Sequence, residues 1–296
     1  MCGAKCSPWP WSGGGCCWGS PRAPPASRTC SCASPPATWP SRKRRRGRWS
    51  MGKTFAIVRR ELVAYFSSPL AYLILTAFLF FNGYVFWLIV AYLNDPRSQA
   101  MAPLKLFFGG TIFFWLFLLF MVPVITMRLL AEERRSGTLE VLLTSPVTEG
   151  QVVFGKFLAA LLFYLFLWVP TLAYVAILAA HATIDPGPVA AGYLGIALLG
   201  VLFAAVGLLT SALAKNQIVA AVFAFAVLVV LFSLGLLEQL VSTPWLKSAL
   251  GYMNLWDHMA DFARGLVDTR HVVYQLSVAG LSLFLATKAL EAAKGR

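Results

Sequence analysis

Charge is scarce in this sequence. Aspartate, glutamate, lysine and arginine make up 12% of its 296 residues, against about 25% in an ordinary soluble domain. With 58% hydrophobic residues and a mean hydropathy of +0.70, the chain lacks the polar surface that a soluble globule of this length needs. Lipid must solvate much of it. Histidine is nearly missing, with three residues in all. No H-E-x-x-H, Ser-His-Asp or paired-carboxylate arrangement stands out, so no catalytic residues are assigned and the chain is not read as an enzyme. Cysteine is absent from Met51 onward. All six, Cys2, Cys6, Cys16, Cys17, Cys30 and Cys32, precede it, which excludes a disulfide framework for the main body. The net charge of +13 would in a soluble protein point to nucleic acid. Here much of it lies in one short run and in the loops between apolar segments. It therefore reads as a topology signal, and no nucleic-acid partner is expected.

Residues 1–50 do not belong with the rest. They are rich in Cys, Trp, Pro, Gly, Ser and Arg and end in Arg42-Lys43-Arg44-Arg45-Arg46-Gly47-Arg48. No apolar core follows an early basic stretch, so this is not a standard secretory signal. Cys30-x-Cys32 and Cys16-Cys17 lack zinc-site spacing, and no histidine is nearby. The segment is expected to be a disordered leader outside the native protein, which would begin at Met51. The functional domain is then 51–296.

About 20 apolar residues cross a bilayer as a helix. Six segments qualify: 69–92, 106–126, 152–180 with Pro170 inside it, 189–213, 218–241 and 272–289. The expected fold is an all-α polytopic membrane protein. Lys and Arg near the segment ends set the orientation. With Met51 inside, Lys53, Arg59, Arg60, Arg128, Arg134, Arg135, Lys156, Lys215, Lys288, Lys294 and Arg296 are cytoplasmic. Arg97, Lys105, Lys247, Arg264 and Arg270 are external, and both termini are inside. Asn82 is the main polar residue deep in the first span. The fourth span carries Gly200-x-x-x-Ala204 and Gly207-x-x-x-Ser211. Such small-residue pairs let helices approach closely, either between two copies or, more simply, within one subunit.

Two stretches are more than membrane. Before the first span, Phe55, Val58, Leu62 and Phe66 recur at helical spacing with Arg59 and Arg60 off that stripe, the pattern of a helix lying in the inner interface. The alternative is an extension of the first span. Between the second and third spans, Gly137 can end the helix leaving the membrane and Thr138 can cap a short new one. Leu139, Leu142 and Leu143 then share a face, and Pro146 ends it. That face needs lipid headgroups or a cytoplasmic protein to pack on.

The residues here carry a resemblance. Glu132-Glu133-x-x-x-Gly137-Thr138-Leu139-Glu140-x-Leu142-Leu143-x-x-Pro146 resembles the coupling segment of ABC-2 permeases. Arg60-Glu61-Leu62-x-x-Tyr65-Phe66-x-Ser68-Pro69 and Phe262-Ala-Arg264-Gly265-Leu-Val-Asp268-Thr-Arg270 are similar to the same family, within it to the gliding-motility and nitrous-oxide-maturation (GldF/NosY-like) permeases. The resemblance runs from Met51 to about the C-terminus. It implies a multi-pass permease of a bacterial inner membrane, paired with a second permease chain, identical or related, above two cytoplasmic ATPase subunits. A coupling helix at 138–145 would transmit ATPase closure to the spans. Glu132, Glu133, Arg134, Arg135 and Glu140 would orient that contact by charge, and Gly137, Thr138, Leu139, Leu142, Leu143 and Pro146 would shape it. ATP and Mg²⁺ would be held by the partner, and no cofactor by this chain. Alternatives are a scaffold that uses the ATPase to move an external partner, and a secondary transporter, which calls for inverted repeats and mid-membrane ionisable residues.

Two tempting sites remain. Gly150-Gln-Val-Val-Phe-Gly155-Lys156 matches most of a phosphate-binding loop, but Phe157 stands where the Mg²⁺ ligand belongs and no strand precedes it. The loop before the last span holds Asp257, His258, Asp261, Asp268 and His271, a metal or substrate gate or else a solvated loop with surface helices. Trp245, Tyr252 and Trp256 fit interface anchors.

Overall fold

The computed structural model describes residues 51–93, 106–137, 148–181, 185–238 and 243–294. The expected leader 1–50 and the coupling helix at 138–145 lie outside these residues. Among those described, six helices are long and apolar enough to cross a membrane: Pro69–Tyr92, Ile112–Ser136, Glu149–His181, Pro186–Leu213, Gln217–Leu237 and Thr269–Ala292. With their hydropathy, they make this an all-α, six-span polytopic membrane protein.

In chain order the helices are α1 (Met51–Ser67), α2 (Pro69–Leu93), α3 (Ile112–Thr126), α4 (Ala131–Ser136), α5 (Glu149–Trp168), α6 (Leu172–His181), α7 (Pro186–Leu213), α8 (Gln217–Leu237), α9 (Pro244–Tyr252), α10 (Leu255–Ala263) and α11 (Thr269–Lys294). Their starts are written in polar residues. Asp185 accepts from the Gly187 N–H at the head of α7, with Pro186 in the first turn. Asn216 accepts from the Val219 N–H at α8, and Asn254 from the Trp256 N–H at α10. Each satisfies a donor that a helix start leaves open.

The fourth span, α7, is the axis of the bundle. Buried residues fill 78% of its apolar window, against 17%, 22% and 28% for the first, fifth and sixth spans. Those outer spans expose large apolar side chains such as Phe80, Val222 and Leu281, as helices facing lipid do. Close approach to α7 depends on its glycines. A Cβ on Gly200 would sit 2.3 Å from the Tyr164 ring, and one on Gly207 would sit 2.2 Å from Thr126 Oγ1. Within this subunit, then, the small residues of the fourth span take up neighbouring helices.

The second span departs from the sequence expectation at its start. The residues 106–110 form a broken helical turn, and α3 begins at Ile112. Gly109 has φ +90°, and a Cβ there would meet Met259 at 2.7 Å. Only glycine fits that conformation and that contact. The third span is broken where expected. Pro170 has no N–H to continue the ladder, and Val169–Thr171 tightens into a 3₁₀ turn between α5 and α6.

Helix α1 is a separate element, divided from α2 by a bend at Ser68. It packs on α5: Ile57 fills the space over Gly155, and Tyr65 stacks on Phe163 at 4.8 Å between centroids. Its apolar stripe divides. Val58 is buried and Leu62 partly so, while Phe55 and Phe66 are exposed.

Candidate functional site: a buried charge network at the exit of the second span

At one end of the bundle the second span breaks. Met127–Leu130 leaves the α-helical path between α3 and α4. The break frees backbone donors, and Ser211 of α7 accepts from both the Leu130 and Ala131 N–H groups, each at 3.1 Å. The Ser211 hydroxyl donates to the Met127 carbonyl. A buried backbone N–H without a partner is costly, so Ser211 sets where α4 leaves the bundle. Arg128 at the break donates to Ser68 Oγ at 2.9 Å and pairs with Glu132 at 3.1 Å. Tyr65 Oη donates to the Ile125 carbonyl at 2.8 Å. The α1–α2 bend and the second-span exit are thereby tied together.

The centre of this region is Lys156, seven residues into α5 and 1% exposed. Its Nζ lies 3.0 Å from Glu61 Oε1 of α1 and 2.9 Å from Glu133 Oε1 of α4. Arg60 of α1, more than half exposed, reaches the same two carboxylates at 2.8 and 3.1 Å. Two carboxylates and two cations thus join three helices that meet at this point. Burial alone would push the Glu61 carboxyl up, but Lys156 and Arg60 beside it hold it below the usual carboxylate range. A buried lysine in an apolar helix needs such partners, since an unpaired charge there costs several kcal/mol.

The residues assigned from sequence therefore divide. Glu133 turns inward to Lys156 and Arg60, and Glu132 pairs with Arg128. Arg134 is half-buried and Arg135 exposed. Gly137 ends α4 at φ +72°, a left-handed cap that favours glycine. Thr138, Leu139, Glu140, Leu142, Leu143 and Pro146 lie outside the described residues. Sequence reasoning missed Glu61, Lys156 and Ser211 as a set. The available signal was a lysine inside an apolar segment, which demands a carboxylate, but nothing local says which one across 95 residues of chain. The phosphate-loop match around Lys156 lies within helix α5, and its Gly155 is covered by Ile57; it is no loop.

The profile of the "ABC-2 family transporter protein" family matches residues 91–253, more than half of the chain and inclusive of this exit. The chain belongs to the ABC-2 transporter family. No curated relative matches it. The match takes in the second to fifth spans of this ABC-2 permease, from the end of α2 to α9. The charge network hangs on that matched core through Glu133 and Lys156.

The opposite end of the ABC-2 chain carries α9, which has no buried residue, and α10, which packs Leu255, Met259 and Phe262 into the bundle. Here His258 of α10 lies buried against His271, with ring centroids 3.9 Å apart, and His271 pairs with Asp261 at 3.1 Å. Asn254 donates to Asp257 and Glu238, and Asp268 caps α11 at the Arg270 N–H. Among the described residues no group of three His, Cys, Asp or Glu side chains is placed to hold a metal ion. Trp256 is no free anchor: it stacks on Trp115, whereas Trp245 is exposed.

Burial, with His271 alongside, pushes the His258 imidazole down to about 4, against the nearby Asp261 and Asp268. A histidine whose folded pKa is depressed stabilises its packing fully above its unfolded pKa near 6.5, and that stability is lost as pH falls from there toward 4. Hydrogen exchange across α10, corrected for the intrinsic pH effect, is expected to quicken about tenfold between pH 7 and pH 5. His258→Phe should abolish the acceleration. An unchanged pH response in that variant would remove His258 as its origin.

Proposed function

We propose that this chain is the membrane subunit of an ATP-binding cassette transporter, in which 138–145 docks on a separate ATP-binding subunit and the Glu61–Lys156–Glu133 network carries the motion into the spans. The observation that carries the reading is the position of that network. It joins α1, α4 and α5 at the root of the segment whose residues resemble a coupling helix. Movement of that segment must displace Glu133 at its base, and Glu133 is bound to Lys156 of the third span and Arg60 of α1. In this reading that end of the bundle is cytoplasmic, the α10 end is external, and α1 lies at the inner interface. Two copies of the permease, or this chain and a relative within the GldF/NosY-like group, complete the transporter. ATP and Mg²⁺ bind in the partner. The partner drives the switch through contacts that differ between its ATP-bound and free states.

The test is Leu142→Asp, which places a charge on the apolar face of the docking segment. Burying it unpaired costs several kcal/mol, so retention of the ATP-binding subunit on affinity-purified permease should fall at least tenfold. Arg97→Asp, in a loop read as external, should leave retention unchanged. Full retention in Leu142→Asp would assign the segment to the lipid surface instead.

A further inference from the structure

Beside the network, α1 lines an open groove of about 510 Å³, with Leu162 of α5 at its edge. Arg59, expected from the sequence to lie off the apolar stripe, shares this lining with Phe55, Leu62, Val63, Phe66 and Leu162. Phe55 and Val63 are 70% and 60% exposed. The two adjacent arginines of α1 are used differently. Arg60 is held by Glu61 and Glu133. Arg59 has no ion pair among the described residues, and no carboxylate lines the groove.

We infer that this groove is a binding site for one anionic phospholipid of the inner leaflet, its acyl chain along Phe55, Val63, Phe66 and Leu162 and its phosphate on Arg59. The inference rests on α1 lying at the inner interface. The apolar walls alone would accept any chain, and the charge decides the occupant. A second permease copy docked groove to groove would bring two arginines together with no carboxylate between them, which is unfavourable. A lipid phosphate supplies the missing anion, and a guanidinium at the headgroup level binds it by charge-assisted hydrogen bonds. Arg59 can reach that level while its stem stays on the apolar wall. A lipid held here would lie against α1, the helix that presents Glu61 to Lys156, so its occupancy would bear on the same network.

The test uses the full chain in neutral detergent, titrated with phosphatidylglycerol or phosphatidylcholine and read by native mass spectrometry. Wild type should retain one phosphatidylglycerol in preference to phosphatidylcholine. Arg59→Gln should reduce that preference about fivefold, Leu162→Trp should reduce retention of both lipids, and Lys247→Gln should change neither. A preference that survives Arg59→Gln overturns the site. Phe55→Trp in bilayers with brominated acyl chains separates the interfacial position of α1 from the lipid site. Quenching there with no loss of preference in Arg59→Gln keeps α1 at the interface and removes the lipid site. No quenching, with a disulfide between two copies of Val63→Cys, removes both and makes the groove a permease–permease contact.

Discussion

Replacing Lys156 with methionine is expected to cost about 3–5 kcal/mol, the range found when one member of a buried ion pair is removed. Methionine matches the stem of the lysine, so packing around α5 is nearly kept and the loss is electrostatic. Glu61 and Glu133 would then face each other across Arg60, which is itself more than half exposed. The thermal transition of the purified protein in detergent should fall sharply. Adding Glu61→Gln should recover part of the loss, because the second carboxylate no longer needs a buried cation; in that double variant the remaining pair is Arg60 with Glu133. If Lys156→Met unfolds like wild type, the network is an exposed surface cluster and cannot transmit anything. If Lys156→Met is destabilised and Glu61→Gln recovers nothing, the lysine matters through packing and not through charge.

A second large effect is expected in the bundle axis. At Gly207 even a methyl group would lie 2.2 Å from Thr126 Oγ1 and 2.7 Å from its Cβ. Thr126 has no room to yield, being fully buried with its hydroxyl donating to the Val122 carbonyl at 2.9 Å. Overpacking of a tight core costs about 1–3 kcal/mol, more where neighbours cannot shift. Gly207→Leu forces the second and fourth spans apart one turn from Ser211, which sets the second-span exit. The yield of monodisperse protein by size exclusion should collapse. Gly280→Leu is the matched control, since a Cβ at Gly280 meets nothing within 4 Å, and its yield should equal wild type. Equal yields for both variants would mean that the α3–α7 contact is looser than described.

The sequence was most legible where one physical rule dominates. Lipid as solvent demands long apolar helices, and so six spans could be read from composition and length, with Pro170 breaking the third as placed. It was least legible where structure depends on pairs distant in sequence. Gly109 and Gly110 looked like the apolar start of a span. Their turn is explained by Met259, about 150 residues on, which leaves Gly109 no space for a side chain. Lys156 counted as a topology signal and as the end of a false phosphate-loop match, and Glu61 only as part of a family-like phrase, because neither reading says which partner a charge takes. The GxxxA-like pairs were read correctly as close approach, but whether that approach was within or between subunits needed Thr126 and Tyr164 to decide. Gly137 ends its helix in a left-handed turn, the helix end that a glycine after the second span led one to expect.

The contact we propose between the segment after Gly137 and an ATP-binding protein can be trapped covalently. A photo-crosslinking amino acid at position 142, in cells expressing the complete transporter, tests it most directly, with position 185 as the site on the other side of the membrane. A docked segment gives a crosslinked band from position 142 that is also labelled by azido-ATP, and none from position 185. A crosslink to an ATP-binding protein from position 185, or only lipid adducts from position 142, would contradict it.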